Sequence, residues 1–250
     1  MSVEGDLAEQ EVPQRCRVYE QESVRTAVGD AIRPGGLALT QAALTACALP
    51  AGSRILDVGC GIGATVAYCR EQGFAAVGLD ASGLLLHTAR ERAAPLPLTG
   101  ALGQRLPFAD ATMDALFAEC SLSLLGEVEA AVAEFRRVLR PGGLLVVSDL
   151  YARRPEGISL LRQLPMACCL SGALSPQELA ETLAAQGFDL LLWEDHSEAL
   201  RTFTARLIFS HGSLDQFWQC TTQGNLPDGA VQEAIACSKP GYLLVIARRQ

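Results

Sequence analysis

The sequence has no apolar run approaching the ~18–20 residues that cross a bilayer, no cluster of lysine and arginine, no Cys-x-x-Cys pair, and no internal repeat or low-complexity tract. The first absence argues against a membrane span. The second, with 20 basic against 28 acidic residues and a formal charge of −8, disfavours a phosphate-backbone partner, so nucleic acid is not an expected substrate. Small molecules and proteins stay open. The first residues, Met-Ser-Val-Glu-Gly-Asp, carry neither the basic nor the apolar region of a secretory signal, and a cytoplasmic protein is expected. The 9 cysteines are odd in number and scattered, so they read as reduced thiols filling the core rather than as a disulfide framework.

What is present suits one large α/β domain: 250 residues, 49% apolar and 19% charged. Strand and helix patterns alternate from about residue 37 to 195, the signature of βαβ units and a parallel sheet. Residues 1–36 form a separate polar segment, and 37–250 the main domain. Strands are predicted at 54–58, 75–80, near 96–102, 113–118, 144–148, 188–193 and 242–247, with helices at 37–49, from the glycine turn after Val58 to about Gly73, and at 82–92, 126–140 and 198–209. Ser175-Pro-Gln-Glu178 is a capping box with proline at the first helical position. The segment between residue 209 and Gly241 reads as irregular.

Ile55-Leu-Asp-Val-Gly-Cys-Gly-Ile-Gly-Ala64 joins a buried strand to a helix. Glycines let the main chain pass beside a ligand, and the helix N-terminus offers free N–H groups to a carboxylate. Asp57 can accept from a ligand ammonium. Gly59, Gly61 and Ala64 also satisfy the looser dinucleotide pattern GxGxx[GA], so the turn alone does not choose a ligand. Asp80 ends the second strand, where a carboxylate can take both hydroxyls of a ribose.

With Leu106-Pro-Phe-Ala-Asp110 before strand four and Leu139-Arg-Pro-Gly-Gly143 before strand five, residues 54–149 resemble the class I S-adenosylmethionine (SAM)-dependent methyltransferases, in particular the small-molecule group. The resemblance implies a Rossmann-like, doubly wound seven-stranded sheet, mostly parallel with the last strand antiparallel, flanked by helical N- and C-terminal caps. It implies SAM as cofactor, no resident metal, and a small-molecule methyl acceptor. Asp57, Gly59, Cys60, Gly61, Gly63, Asp80, Ala81, Leu102, Gly103, Glu119 and Gly36 would form the cofactor site. Leu102 departs from the family pattern, standing where an acid usually holds the adenine amino group; Gln104 is a polar substitute.

Methyl transfer from a sulfonium requires orientation more than a dedicated catalytic motif. Glu119, Tyr19 and His196 are the catalytic candidates, with Cys120, Ser121, Asp149, Tyr151 and His211 as further residues near strand ends or on the cap. Segments 151–174 and 197–239 would build the acceptor pocket. Cys168 and Cys169, followed by Gly-Ala-Leu, are similar to a segment of arsenite methyltransferases; with Cys220 or Cys237 they could bind a thiophilic acceptor. A nicotinamide-dependent oxidoreductase and a non-catalytic SAM-binding protein are the alternative readings.

Overall fold

Side-chain alternation along β1 (Arg54–Val58) puts Ile55 in one apolar layer and Leu56 and Val58 in the other. The same alternation recurs in β4 (Met113–Glu119), where Ala115 and Phe117 oppose Leu116 and Ala118, and in β7 (Pro240–Arg249), where Leu244 and Ile246 oppose Leu243 and Val245. A sheet apolar on both faces must be covered on both. In this computed structural model, which describes residues 19–92, 95–165, 168–221, 227 and 229–250, helices cover both. α2 (Gly36–Cys47), α3 (Ala64–Glu71) and α4 (Gly83–Arg92) lie on one side; α5 (Val128–Val138) and a helix at 176–185 lie on the other.

The seven strands include β2 (Ala75–Asp80), β3 (Leu98–Gly100), β5 (Leu139–Ala152) and β6 (Phe188–Asp195), in the order β3-β2-β1-β4-β5-β7-β6. β7 runs antiparallel to both neighbours and the other strands run parallel, as the sequence resemblance implies. The order reverses at β1, between β2 and β4. A crevice therefore opens at the carboxyl ends of those strands, the usual ligand position in such sheets.

Three expectations need correction. The fifth strand begins at Leu139 rather than 144 and continues to Ala152, because β7 pairs with it as far as Pro240↔Ala152 and Leu139 already pairs with Met113. The stretch expected to be irregular after residue 209 is helical over most of its described residues: α8 (Ser197–His211) is followed by α9 (Leu214–Thr221) and α10 (Ala230–Ser238). The loop after β5 contains α6 (Ile158–Gln163), whose Ile158 and Leu161 pack with Val231 and Ala234 of α10. α7 (Pro176–Ala185) starts at the expected capping box: Ser175 Oγ accepts from Glu178 N at 3.1 Å, and Glu178 Oε2 accepts from Ser175 N at 2.7 Å.

Of the segment 1–36, residues 1–18 lie outside the described part. Its remainder carries α1 (Glu22–Val28), whose Val24 packs with Leu207 of α8 and Phe217 of α9. Among the described residues no helix is long and apolar enough to cross a membrane.

Candidate functional site

After Val58 the chain reverses through Gly59–Gly63 into α3. Gly59 has φ +78°, and a Cβ there would lie 2.5 Å from the Ser121 Cβ, so a side chain is excluded by conformation and by space. The amides of Gly59 and Cys60 donate to the Leu79 carbonyl at 2.8 and 2.9 Å, fastening the turn to β2. Gly61 N donates to Asp80 Oδ2 at 2.7 Å and Ser82 N to Oδ1 at 2.8 Å. Asp80 is thus fixed beside the turn with an acceptor lone pair left on each oxygen. Burial pushes its carboxyl pKa up, and the Ser82 and Gly61 amides hold it back.

Glu119 ends β4 and is buried with its charge compensated. Thr40 Oγ1 donates to its Oε1 at 2.9 Å, Thr65 Oγ1 to its Oε2 at 2.7 Å, and the Arg33 guanidinium stands 2.9 Å from Oε2. The same Arg33 nitrogen reaches Thr40 and Thr65 at 2.6 and 2.7 Å. Breaking one side of a buried ion pair costs about 3–5 kcal/mol, so this cage ties the segment before α2 to the end of β4. Asp57, buried beneath the turn, has its pKa raised well above the ordinary carboxylate value by burial and by Glu119, with Arg33 opposing.

One cavity runs along these groups. Its wall includes Gly59, Cys60, Gly61, Asp80, Ala81, Leu102, Gly103 and Glu119 of the expected set, together with Arg33, Gln104 and Ser121. Three of the wall residues carry buried polar atoms without a protein partner: Arg33 Nε, Gln104 Oε1 and Ser121 Oγ. Orphaned polar atoms are rare in native interiors and call for a partner outside the chain. Asp30 also lines it, and apolar side chains such as Leu79, Leu85, Leu124 and Leu125 make up much of the rest.

Tyr19, Ile32 and Cys120 belong to the wall of this cavity and also to that of a second cavity. At that junction Tyr19 Oη donates to Cys169 Sγ at 3.1 Å and accepts from Cys169 N at 3.1 Å, while Cys169 Sγ donates to the Cys120 carbonyl at 3.1 Å. Cys120 has φ +53°, a left-handed conformation unusual for a side-chain-bearing residue and of a kind that clusters at functional sites. Its Sγ lies 3.5 Å from Tyr242 Oη. Burial and the neighbouring thiols raise the Tyr19 pKa well above its ordinary value, so the phenol stays protonated.

The other expected residues fall elsewhere. Gly63, at φ +83°, is the N-cap of α3 and is not part of the first cavity's wall; neither is Asp57. Gly36 opens α2 and faces a separate depression with Tyr68 and Arg206. His196 caps α8, sits 2.9 Å from Glu194 Oε2, and lines neither cavity; His211 ends the same helix and stacks edge-on against Phe217. Tyr151 Oη donates to Asp195 Oδ2 at 2.5 Å, outside both walls. Among the described residues the cysteines suggested as a thiophilic set do not assemble. Cys168 is buried against Ser171, Cys237 lies on α10, and the Cys220 side chain is outside the described part. Cys169 instead meets Cys120 and Asp149, their ligand-type atoms within 4.8 Å of one another.

Residues 56–147 match the family described as "Methyltransferase domain". Methyltransferase GfsG of Streptomyces halstedii is 30% identical over 182 residues, a stretch covering 69% of this chain but 66% of that relative, just under two thirds. Demethylmenaquinone methyltransferase of Corynebacterium kroppenstedtii is 32% identical over 181 residues, covering 69% of this chain and 73% of the relative. The crystal structure of the [4+2]-cyclase SpnF shares the fold with a TM-score of 0.70 over 96% of each chain, at 24% identity.

Proposed function

This chain belongs to the class I SAM-dependent methyltransferases, and from that premise we propose that it binds SAM beside the Gly59–Gly61 turn and transfers a methyl group to a small-molecule acceptor. The observation carrying this reading is the set of unpartnered polar atoms in one wall, opposite a ribose-type carboxylate. Asp80 offers one free lone pair on each oxygen to two adjacent hydroxyls. Gln104 Oε1, an acceptor without a partner, suits the adenine amino group and takes the place of the acid that Leu102 replaces. Ala81, Leu102 and Leu125 give the purine an apolar slot. At the other end, Arg33 Nε and the N-terminus of α3 suit a carboxylate, while Glu119 in the wall suits an ammonium.

When bound, SAM supplies an electrophilic methyl on a sulfonium, and the protein has to align an acceptor with it. Alignment of this kind is worth roughly 7–11 kcal/mol of the barrier. Tyr19 and Cys120 stand at the shared edge of the two cavities and would position the acceptor. Tyr19, kept protonated, serves as a hydrogen-bonding contact rather than a base. Glu119, locked by Arg33, Thr40 and Thr65, holds the cofactor end. Neither Gly36 nor Gly63 is retained as a direct contact; Gly63 instead serves the turn into α3. The surplus of acidic residues and the free thiols of the described cysteines support a small-molecule acceptor and a reducing, cytoplasmic setting.

Calorimetric titration with S-adenosylhomocysteine, with NAD as the control, tests the reading. One-site binding of the nucleoside is expected, weakened at least tenfold in Asp80→Ala, since a hydrogen bond to a charged group contributes about 1.5–3 kcal/mol. Binding of NAD in its place, or an unchanged affinity in Asp80→Ala, would refute it.

A further inference from the structure

The second cavity is about 370 Å³, within the roughly 300–1,000 Å³ typical of small-molecule sites. Elements distant in sequence close it: the segment 19–34, β5, the loop before Ser175, and helices α8, α9 and α10. Its walls are aliphatic and aromatic, with Leu150, Leu170, Leu207, Phe217 and Ile235 among them. Among the described residues no carboxylate lines it, and Arg201 is the one cationic residue. That guanidinium is 68% exposed and already paired with Glu198 one helical turn away, so it belongs to the rim. The other titratable groups are the phenol of Tyr19 and the thiols of Cys120, Cys168 and Cys169. Burial keeps Tyr19, Cys168 and Cys169 in their neutral forms, with the Cys168 thiol pushed up to about 12.

A ligand phosphate, carboxylate or ammonium seated here would lose its hydration and meet no opposite charge, a heavy penalty. The polar exception is at one end. Tyr19, Ile32 and Cys120 are shared with the first cavity, so the two cavities adjoin there. We propose that the second cavity is the acceptor pocket and that its occupant is an uncharged, predominantly apolar molecule presenting one polar group at the Tyr19–Cys120 end. The word acceptor rests on the methyltransferase reading; the apolar, charge-excluding character of the site does not.

N-phenyl-1-naphthylamine and 1-anilinonaphthalene-8-sulfonate share one ring skeleton and differ by a sulfonate, which makes them a direct probe of this selectivity. The full chain, saturated with S-adenosylhomocysteine to block the first cavity, is titrated with each dye by fluorescence. The neutral dye is expected to bind saturably at one site, at least tenfold tighter than the sulfonate. Thr204→Trp, which fills the cavity from α8, is expected to weaken the neutral dye at least tenfold while S-adenosylhomocysteine binding stays constant. Ile208→Trp, at a position 40% exposed and therefore tolerant of change, should do the same. Equal binding of the two dyes, or indifference to both tryptophan substitutions, would overturn the proposal. If the naphthylamine binds but S-adenosylhomocysteine does not, the methyltransferase reading fails, and the occupant cannot be called a methyl acceptor.

Discussion

Asp149 shows how burial turns a single side chain into a pH-dependent element of stability. Its Oδ1 accepts from Ser123 Oγ and Leu150 N, each at 2.7 Å, and its Oδ2 from Ser123 N at 2.9 Å, yet burial outweighs these bonds and pushes the pKa up to about 6. An unfolded aspartate titrates near about 3.9, so between those values the folded protein binds more protons than the unfolded chain. The stabilising contribution of this group is therefore full below about pH 4 and is lost as pH rises through 6. Asp149→Asn removes the titration. Its stability relative to the parent should improve by on the order of 3 kcal/mol between about pH 4 and pH 7, whatever constant offset the altered hydrogen bonds impose. Urea denaturation at both ends of that window checks this, and a pH-independent difference would contradict it. The individual groups of the site divide on similar grounds. Gly59 and Gly61 were readable because they fall in one strand-to-helix turn, and Asp80 because it ends the next strand. Arg33 as the partner of Glu119, and Ser121 behind Gly59, were not, because those contacts join distant parts of the chain without any spacing that marks them.

Among the elements, those with their own local signals matched expectation. Ser175 and Glu178 satisfy each other's backbone amides at the start of α7, and Ser175→Ala should lower stability by about 1 kcal/mol, measurable as a shift in the denaturation midpoint with unchanged slope. A loss indistinguishable from zero would mean the box contributes nothing to the packed helix. The Leu-Pro-Phe segment also has a structural role. Arg137 of α5 donates to the carbonyls of Leu106 and Phe108 and pairs with Asp110 and Glu134, fixing the entry to β4. α9 was missed although Leu214, Phe217 and Trp218 stand at helical spacing; eight residues give too few turns for the period to stand out from the surrounding polar segment. α10 and α6 were obscured similarly, since each is short and buries its apolar side mainly against the other. Of these helices α9 lines the second cavity with Leu214, Phe217 and Trp218 and α10 with Ile235, while the expected α8 supplies most of the helical wall. The segments that hold α6, α9 and α10 were therefore the least legible part of the sequence.

At the scale of the whole molecule, the sheet brings the carboxyl ends of β1, β2 and β4 together at its order reversal, and the first cavity lies there. The fold was legible because strand spacing marked alternating βαβ units, while the glycine turn, Asp80 and the Leu-Arg-Pro-Gly-Gly entry together carried the family resemblance that implies this topology. The helices beyond β5 add a second, apolar chamber that touches the first at Tyr19, Ile32 and Cys120. Function on this view depends on two cavities adjoining at one edge: one with carboxylates and unpartnered polar atoms in its wall, and one whose described lining is apolar apart from Arg201 at the rim. A crystal structure of the full chain with S-adenosylhomocysteine measures that directly. The ribose hydroxyls are expected on Asp80, the adenine beside Gln104, and the sulfur facing the Tyr19–Cys120 edge. A nucleoside bound away from Asp80, or with its sulfur turned from the second cavity, would contradict it.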